Sequence, residues 1–168
     1  MPKTPHPLQD CIDYKAAVIS SICSSPEVLQ LLSDNPALEI DSDQAFQLCD
    51  ENIFDFNYID RTIERKDAFI MVDVEMVEAP TGTMYGWHVF VQVVSYKGYA
   101  RLNPKKFKGV KGNRVDNLVI QIDSLLNGSR LFGIGELNLK ECSIAAVPDN
   151  FTSKMLTYRV EDFRKGQR

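Results

Sequence analysis

The sequence predicts an α+β domain: an antiparallel four-stranded sheet, made of two hairpins, with helices packed on one face. Three observations predict it. From Ala68 to Glu78, apolar Ile70, Val72, Val74 and Met76 alternate with acidic Asp73 and Glu75, the period of a half-buried strand. A second alternating run, Met84 to Tyr96, follows the turn cluster Ala79-Pro80-Thr81-Gly82, which closes an antiparallel hairpin. Val115, Leu118, Val119, Ile122, Leu125 and Leu126 then recur at helical spacing, so one apolar helix face meets a sheet.

Element by element, residues 1–9 hold three prolines and read as a flexible arm. Asp10 to Ser24 reads as a helix with Ile12, Ala16, Ile19 and Cys23 on its apolar face. Ser25-Pro26-Glu27 starts a second helix: serine caps, proline suits the first helical position and glutamate complements the helix dipole. That helix carries Val28, Leu29, Leu31 and Leu32 and ends at Ser33-Asp34-Asn35-Pro36. Asp41 to Cys49 allows one more short helical turn. Glu51 to Arg65, with Phe54, Phe56 and Tyr58, reads as an extended segment across the core.

After the first hairpin, Lys97 to Arg114 reads as a loop, because Gly98, Pro104, Gly109 and Gly112 break it up. Asn113 caps the following helix and Gly128 stops it. Gly135–Val147 and Ser153–Asp162 read as the second hairpin, turning at Pro148-Asp149-Asn150. The 168 residues suit a single domain, placed at 10–163, with residues 164–168 as a tail.

No secretory signal is expected at the start, and no run has the apolar length of a membrane span. Cys11, Cys23, Cys49 and Cys142 are unpatterned and read as reduced core thiols of a cytosolic product. No catalytic, cofactor or metal site is legible. Asp41-Ser42-Asp43 opens like a calcium loop, but Ala45 and Phe46 stand where an oxygen ligand and glycine belong. Gly133-Ile134-Gly135 lacks the third glycine of a dinucleotide fingerprint, and Gly109-Val110-Lys111-Gly112 lacks the ending of a phosphate loop. His6 lies in the arm. His88 lies on the strand face opposite Trp87, beside Phe90 and Gln92, with no nucleophile at a recognisable spacing. Asp73 and Glu75 point the same way from one strand, which a solvent-facing strand explains as well as a carboxylate pair does.

Charge is the more informative signal. Between Ser95 and Val115 stand seven bases and no acid: Lys97, Arg101, Lys105, Lys106, Lys108, Lys111 and Arg114. That leaves 12 of the 19 bases against all 23 acids elsewhere. An acidic body with one basic tract suits association through opposite patches. A pI near 5.2 is a poor match for a general nucleic-acid binder. Tyr96, Tyr99 and Phe107 interleave the lysines as in some single-strand binders, but docking to an acidic partner is the preferred reading. Phe69, Met71 and Val77 share one face of the first hairpin with Phe90 and Val94, so the face away from the helices is also apolar. A neighbouring subunit is expected to cover it.

In element order the chain resembles the tail-terminator, or tail-to-head joining (neck), proteins of long-tailed bacteriophages, from about Cys11 to Phe163. The stretches that carry the resemblance are Ile22-Cys23-Ser24-Ser25-Pro26, Leu125-Leu126-Asn127-Gly128-Ser129 leading into Phe132-Gly133-Ile134-Gly135, and Leu156-Thr157-Tyr158-Arg159-Val160-Glu161-Asp162-Phe163. The resemblance implies a virion protein assembled in the host cytoplasm: a homo-oligomeric ring, usually of six subunits, at the head–tail junction. It would cap the tail tube and meet the head connector or stopper protein. Double-stranded DNA would pass through its lumen without sequence-specific binding. A head-completion or stopper protein, or the terminator of a contractile injection particle, is the alternative within the class. A small enzyme or nucleic-acid module is the rival class. The residues expected at assembly contacts are Lys105, Lys106, Lys108, Lys111, Arg114, Phe69 and Phe90.

Overall fold

The computed structural model describes residues 7–56, 65–78, 85–130 and 136–161. Helix α1 (Pro7–Cys23) begins three residues before the predicted start. Proline in its first turn has the right φ and has no N–H to leave unpaired, and Asp10 complements the dipole there. The arm expected at residues 1–9 is therefore helical from Pro7; residues 1–6 fall outside the described set.

In α2 (Pro26–Ser33) the Ser25 Oγ accepts the Val28 N–H at 3.4 Å. Asp34 closes this helix in the left-handed conformation, φ 56°. Helix α3 (Asp43–Asn52) is capped by Ser42, whose Oγ accepts the Ala45 N–H at 3.3 Å. The Asp-Ser-Asp run is thus a helix start. A short turn of helix, α4 (Lys97–Ala100), precedes α5 (Arg114–Leu126), which opens on a reciprocal cap between Asn113 and Asp116.

The sheet has five strands in the order β1-β2-β3-β5-β4. Strand β2 (Ala68–Glu78) pairs antiparallel with β3 (Tyr85–Tyr96), which pairs antiparallel with β5 (Phe151–Glu161). Strand β4 (Asn138–Ser143) pairs antiparallel with β5 through a bulge at Leu139/Glu141. The expected four antiparallel strands are all present, but the sheet is mixed. Strand β1 (Ile53–Phe54) adds to β2 in parallel at Ile70 and Met71. Two residues are too few to show a strand period, so this strand was not legible. Asn52 fixes it, donating from Nδ2 to the Ala68 carbonyl at 2.8 Å.

Helices α1, α2 and α5 cover one sheet face. The core lies there, with Trp87, Val89, Val91, Ile70, Leu156 and Tyr158 against Val18, Ile22, Leu29, Leu118 and Ile122. Helix α1 uses only part of the predicted stripe: Ile19 and Cys23 pack half-buried against the core, but the stripe that is fully buried is another one. Tyr14, Val18 and Ile22 are buried, whereas Ile12 is 60% exposed and Ala16 is also in solvent. The helix has two apolar stripes offset by two residues, on opposite sides, and only packing decides which one the sheet takes.

The other sheet face divides into two halves. Near the β1 end, Phe69, Met71, Val94 and Phe151 form a second small core. It is closed by Phe54 and Val147, by the Arg65 guanidinium 5.1 Å from the Phe69 ring, and by the Ser153 hydroxyl donating to the Ala145 carbonyl at 2.8 Å. The chain's own connecting segments are the covering layer here, so Phe69, 3% exposed, is a core residue and not an open contact. Further along, Asp73, Glu75, His88, Phe90, Met155, Thr157 and Arg159 are half-buried or exposed.

Candidate assembly surfaces

The basic tract is not one uniform loop. Leu102 and Phe107 are buried and pin it to the body, 7% and 9% exposed. Lys106 Nζ lies 2.7 Å from the Asp34 carboxylate and also donates to the Asp34 carbonyl. Arg114, expected on an exposed loop, is 1% exposed in the first turn of α5. Its guanidinium donates to the Leu31 carbonyl, to the Tyr99 carbonyl at 2.9 Å and to Asp34 Oδ1 at 2.6 Å. It also stacks 3.9 Å over the Tyr99 ring. Arg114 and Lys106 therefore hold the fold together. A buried guanidinium persists because its five donors can be met by carbonyls and one carboxylate.

Lys97, Arg101, Lys105, Lys108 and Lys111 remain exposed, and none forms an ion pair among the described residues. The tip is shaped by Gly109 and Gly112 at φ 78° and 82°, a conformation that favours glycine. Val110 stands at the tip, 44% exposed between Lys108 and Lys111. The interleaved aromatics are already committed. Tyr99 lies under Arg114 and donates its hydroxyl to the Leu32 carbonyl at 2.8 Å, Phe107 is buried, and Tyr96 packs edge-on to Phe151. Each of the three rings is thus engaged in a contact within the chain.

On the open half of the sheet, His88 and Phe90 meet edge to face, with ring centroids 6.0 Å apart. Asp73 is drawn toward α1 by Lys15, whose Nζ is 2.8 Å away. Glu75 is exposed on the same face, and the two carboxylates line an open groove with Leu8, Cys11, Phe90 and Met155. No group of three or more His, Cys, Asp or Glu side chains converges among the described residues. No single described helix is long and apolar enough to cross a membrane. Of the expected core thiols, Cys11, Cys23 and Cys49 are partly buried, while Cys142 is exposed on edge strand β4. His6 and Gly133–Gly135 lie outside the described residues.

One surface escaped the sequence reading. Between Glu39 and Phe56 stand six acids and no base: Glu39, Asp41, Asp43, Asp50, Glu51 and Asp55. All six are exposed, and Phe46 and Phe56 project among them, 61% and 50% exposed. A windowed count of charge, of the kind that found the basic tract, finds this one too.

The chain matches the YomW family over residues 25–160. No curated protein matches it. A chain from the virion of a native gene transfer agent particle aligns with 88% of this chain and 92% of its own length, at 13% identity and a TM-score of 0.48. The family match spans most of the chain, from the Ser25 cap to the penultimate residue of the last strand, and the chain belongs to the YomW family, a family of phage origin.

Proposed function

We propose that this protein is a structural component of a phage-type virion, a ring-forming terminator that caps the tail tube and joins it to the head connector. The observation that carries the reading is membership of a phage-derived family by a chain whose polar groups serve the fold and its surface. Two features of the molecule support an assembly role. Among the described residues, half of one sheet face, around Phe90, is only partly covered, although packed apolar surface contributes about 25 cal/mol per Å². Five exposed bases that form no ion pair among the described residues also stand on an otherwise acidic body, which favours attraction between copies or between this protein and a neighbour. The subunit contacts fall to Lys105, Lys108, Lys111 and Phe90. Arg114 and Phe69 are buried and Lys106 is paired with Asp34, so these three are left out of the proposed contacts.

A stopper role at the head side is the second reading, and particle morphology separates the two. Particles made without this protein should carry overlong or ragged tubes if it is a terminator. They should show tails of normal length and heads that lose DNA if it is a stopper. Normal, infectious particles in its absence would overturn both. In the ring, DNA passes through the lumen without base readout. The purified protein should accordingly show no sequence preference, and a DNA-dependent enzymatic activity would point to the rival class.

A further inference from the structure

Helix α1 buries one apolar stripe and leaves most of another in solvent, with only Ile19 of that second stripe half-buried against the core. Leu8, Ile12, Ala16 and Ile19 follow one another at spacings of four, four and three, with Leu8 57% and Ile12 60% exposed. Ile12, Ala16 and Ile19 of this stripe form one wall of a groove. Ile53, Phe54 and Phe56 form the opposite wall, and Asp50 and Asp55 stand on its rim. Lys15, the base in the groove, is engaged by Asp73 at 2.8 Å and by the Asp55 carbonyl. Exposed Asp43 and Glu51 of α3, and Glu39 and Asp41 in the segment before it, extend the acidic character, and Phe46 of α3 is exposed too. The surface is thus an apolar trough in an acidic field.

The same chain carries a complementary shape. The loop tip Lys108-Gly109-Val110-Lys111 presents one aliphatic side chain between two lysines, with Lys105 behind it. This tip is held before any partner arrives. Phe107 is buried on one side, Lys106 is tied to Asp34, and Asn117 Nδ2 donates to the Lys111 carbonyl at 2.8 Å on the other. An anchored tip loses little conformational freedom on docking, which favours binding. Tip and groove share no residue: one lies between α4 and α5, the other among α1, α3 and β1. One copy can therefore offer both at once, as a head-to-tail contact requires.

We propose that the groove between α1 and the α3–β1 segment receives the Lys105–Lys111 tip of a second copy of this chain. Val110 meets Ile12 and Phe56, and the lysines face Asp50 and Asp55. The inference rests on the ring reading and names the surface that the basic tract docks against.

The test is a charge exchange at exposed positions. One variant carries Lys105→Glu, Lys108→Glu and Lys111→Glu; the other carries Asp50→Lys and Asp55→Lys. Thermal melts establish that both fold. Self-association is followed by analytical ultracentrifugation at low and high salt. Each variant alone should associate at least about tenfold more weakly than the natural sequence, and the natural association should weaken with salt. An equimolar mixture should recover association, because each acidic tip then faces a basic groove and each basic tip an acidic one. Association of the groove variant at the natural strength overturns this inference and leaves the ring reading standing, with the tip docked elsewhere or on the tail-tube protein. So does a mixture that fails to recover. A natural protein that stays monomeric both alone and with tail-tube protein overturns the ring reading together with this one.

Discussion

Arg114 Nη2 sits 2.6 Å from Asp34 Oδ1, joining the start of α5 to the left-handed residue that ends α2. The arginine side chain is 1% exposed and the aspartate 21%. Losing one partner of such a pair strands a buried charge, which costs about 3–5 kcal/mol in the fully buried limit. Arg114 keeps the Leu31 and Tyr99 carbonyls and Asp34 is partly wet, so Asp34→Ala should cost about 2 kcal/mol, or roughly 4–8 °C in Tm for a chain of this length. Asp34→Asn retains tolerance of the left-handed conformation and an acceptor oxygen, and should cost less. Equal melting temperatures for the natural protein and Asp34→Ala would remove the pair from the account of stability.

The same carboxylate makes stability depend on acid. Burial tends to raise the Asp34 pKa, but hydrogen bonds from Lys106 and Arg114 outweigh it and hold it below the ordinary value. Asp116 is held low by Lys154 and by the Asn113 backbone, against the opposing effect of burial. A depressed folded-state pKa adds stability above the unfolded value, near 3.9, and that stability is lost as pH falls through the folded values. The urea midpoint should therefore drop as pH is lowered below about 4. An Asp34→Asn/Asp116→Asn double variant should show a shallower acid limb; an unchanged limb would contradict the assignment. Lys154 works at the other end. Its pKa is raised by Asp116, so its contribution is full below the unfolded value and fades as pH rises past the folded one.

The four cysteines should separate by reactivity. Burial pushes the Cys23 thiol up to about 12, helped by its neighbour Cys49, and burial also raises Cys11. Cys142 is exposed on an edge strand. The thiolate is the reacting species, so a thiol with a raised pKa is slow near neutral pH. One fast alkylation per native chain is expected at pH 8, abolished by Cys142→Ser, with Cys23 labelled only on unfolding. Rapid labelling of Cys23 in the native protein would show that α1 and α3 separate readily.

Much of this fold was legible because its strongest signals are local. The Ser25 and Asn113 caps, the β2 alternation and the α5 face each depend on residues within a turn or two, and each falls where predicted. What was missed depends on partners distant in sequence. Arg114 looked like a surface base because nothing nearby shows that Leu31 and Asp34, about 80 positions upstream, will meet it. Helix α1 offers two apolar stripes, and the choice of Tyr14, Val18 and Ile22 over Ile12 and Ala16 is made by the sheet beneath. The acidic strip around Phe46 was readable by counting charge, whereas the groove beside it exists only once β1 docks on β2.

Phe69 and Phe90 were expected to play one role, and the structure gives them two. They point to the same side of the sheet, since Phe69 faces Val94 and Phe90 faces Asp73 across the β2–β3 ladder. Phe69 is sealed by Phe54 and Arg65, whereas Phe90 meets only half a covering layer. Phe69→Ala should therefore cost about 3–5 kcal/mol through the cavity it leaves, roughly 6–20 °C in Tm, whether or not a partner is present. Phe90→Ser should change monomer stability by about 1 kcal/mol or less, as substitutions outside the close-packed core do. Its effect should fall on assembly: weaker capture by tail-tube protein, or a loss of higher-mass species at equal protein concentration. Thermal melts and sedimentation of the two variants, run side by side, decide the matter. If Phe90→Ser unfolds the monomer as Phe69→Ala does, the open half of the sheet belongs to the core. If it assembles like the natural protein, the ring contact lies elsewhere, and the charged tip alone is left to carry it.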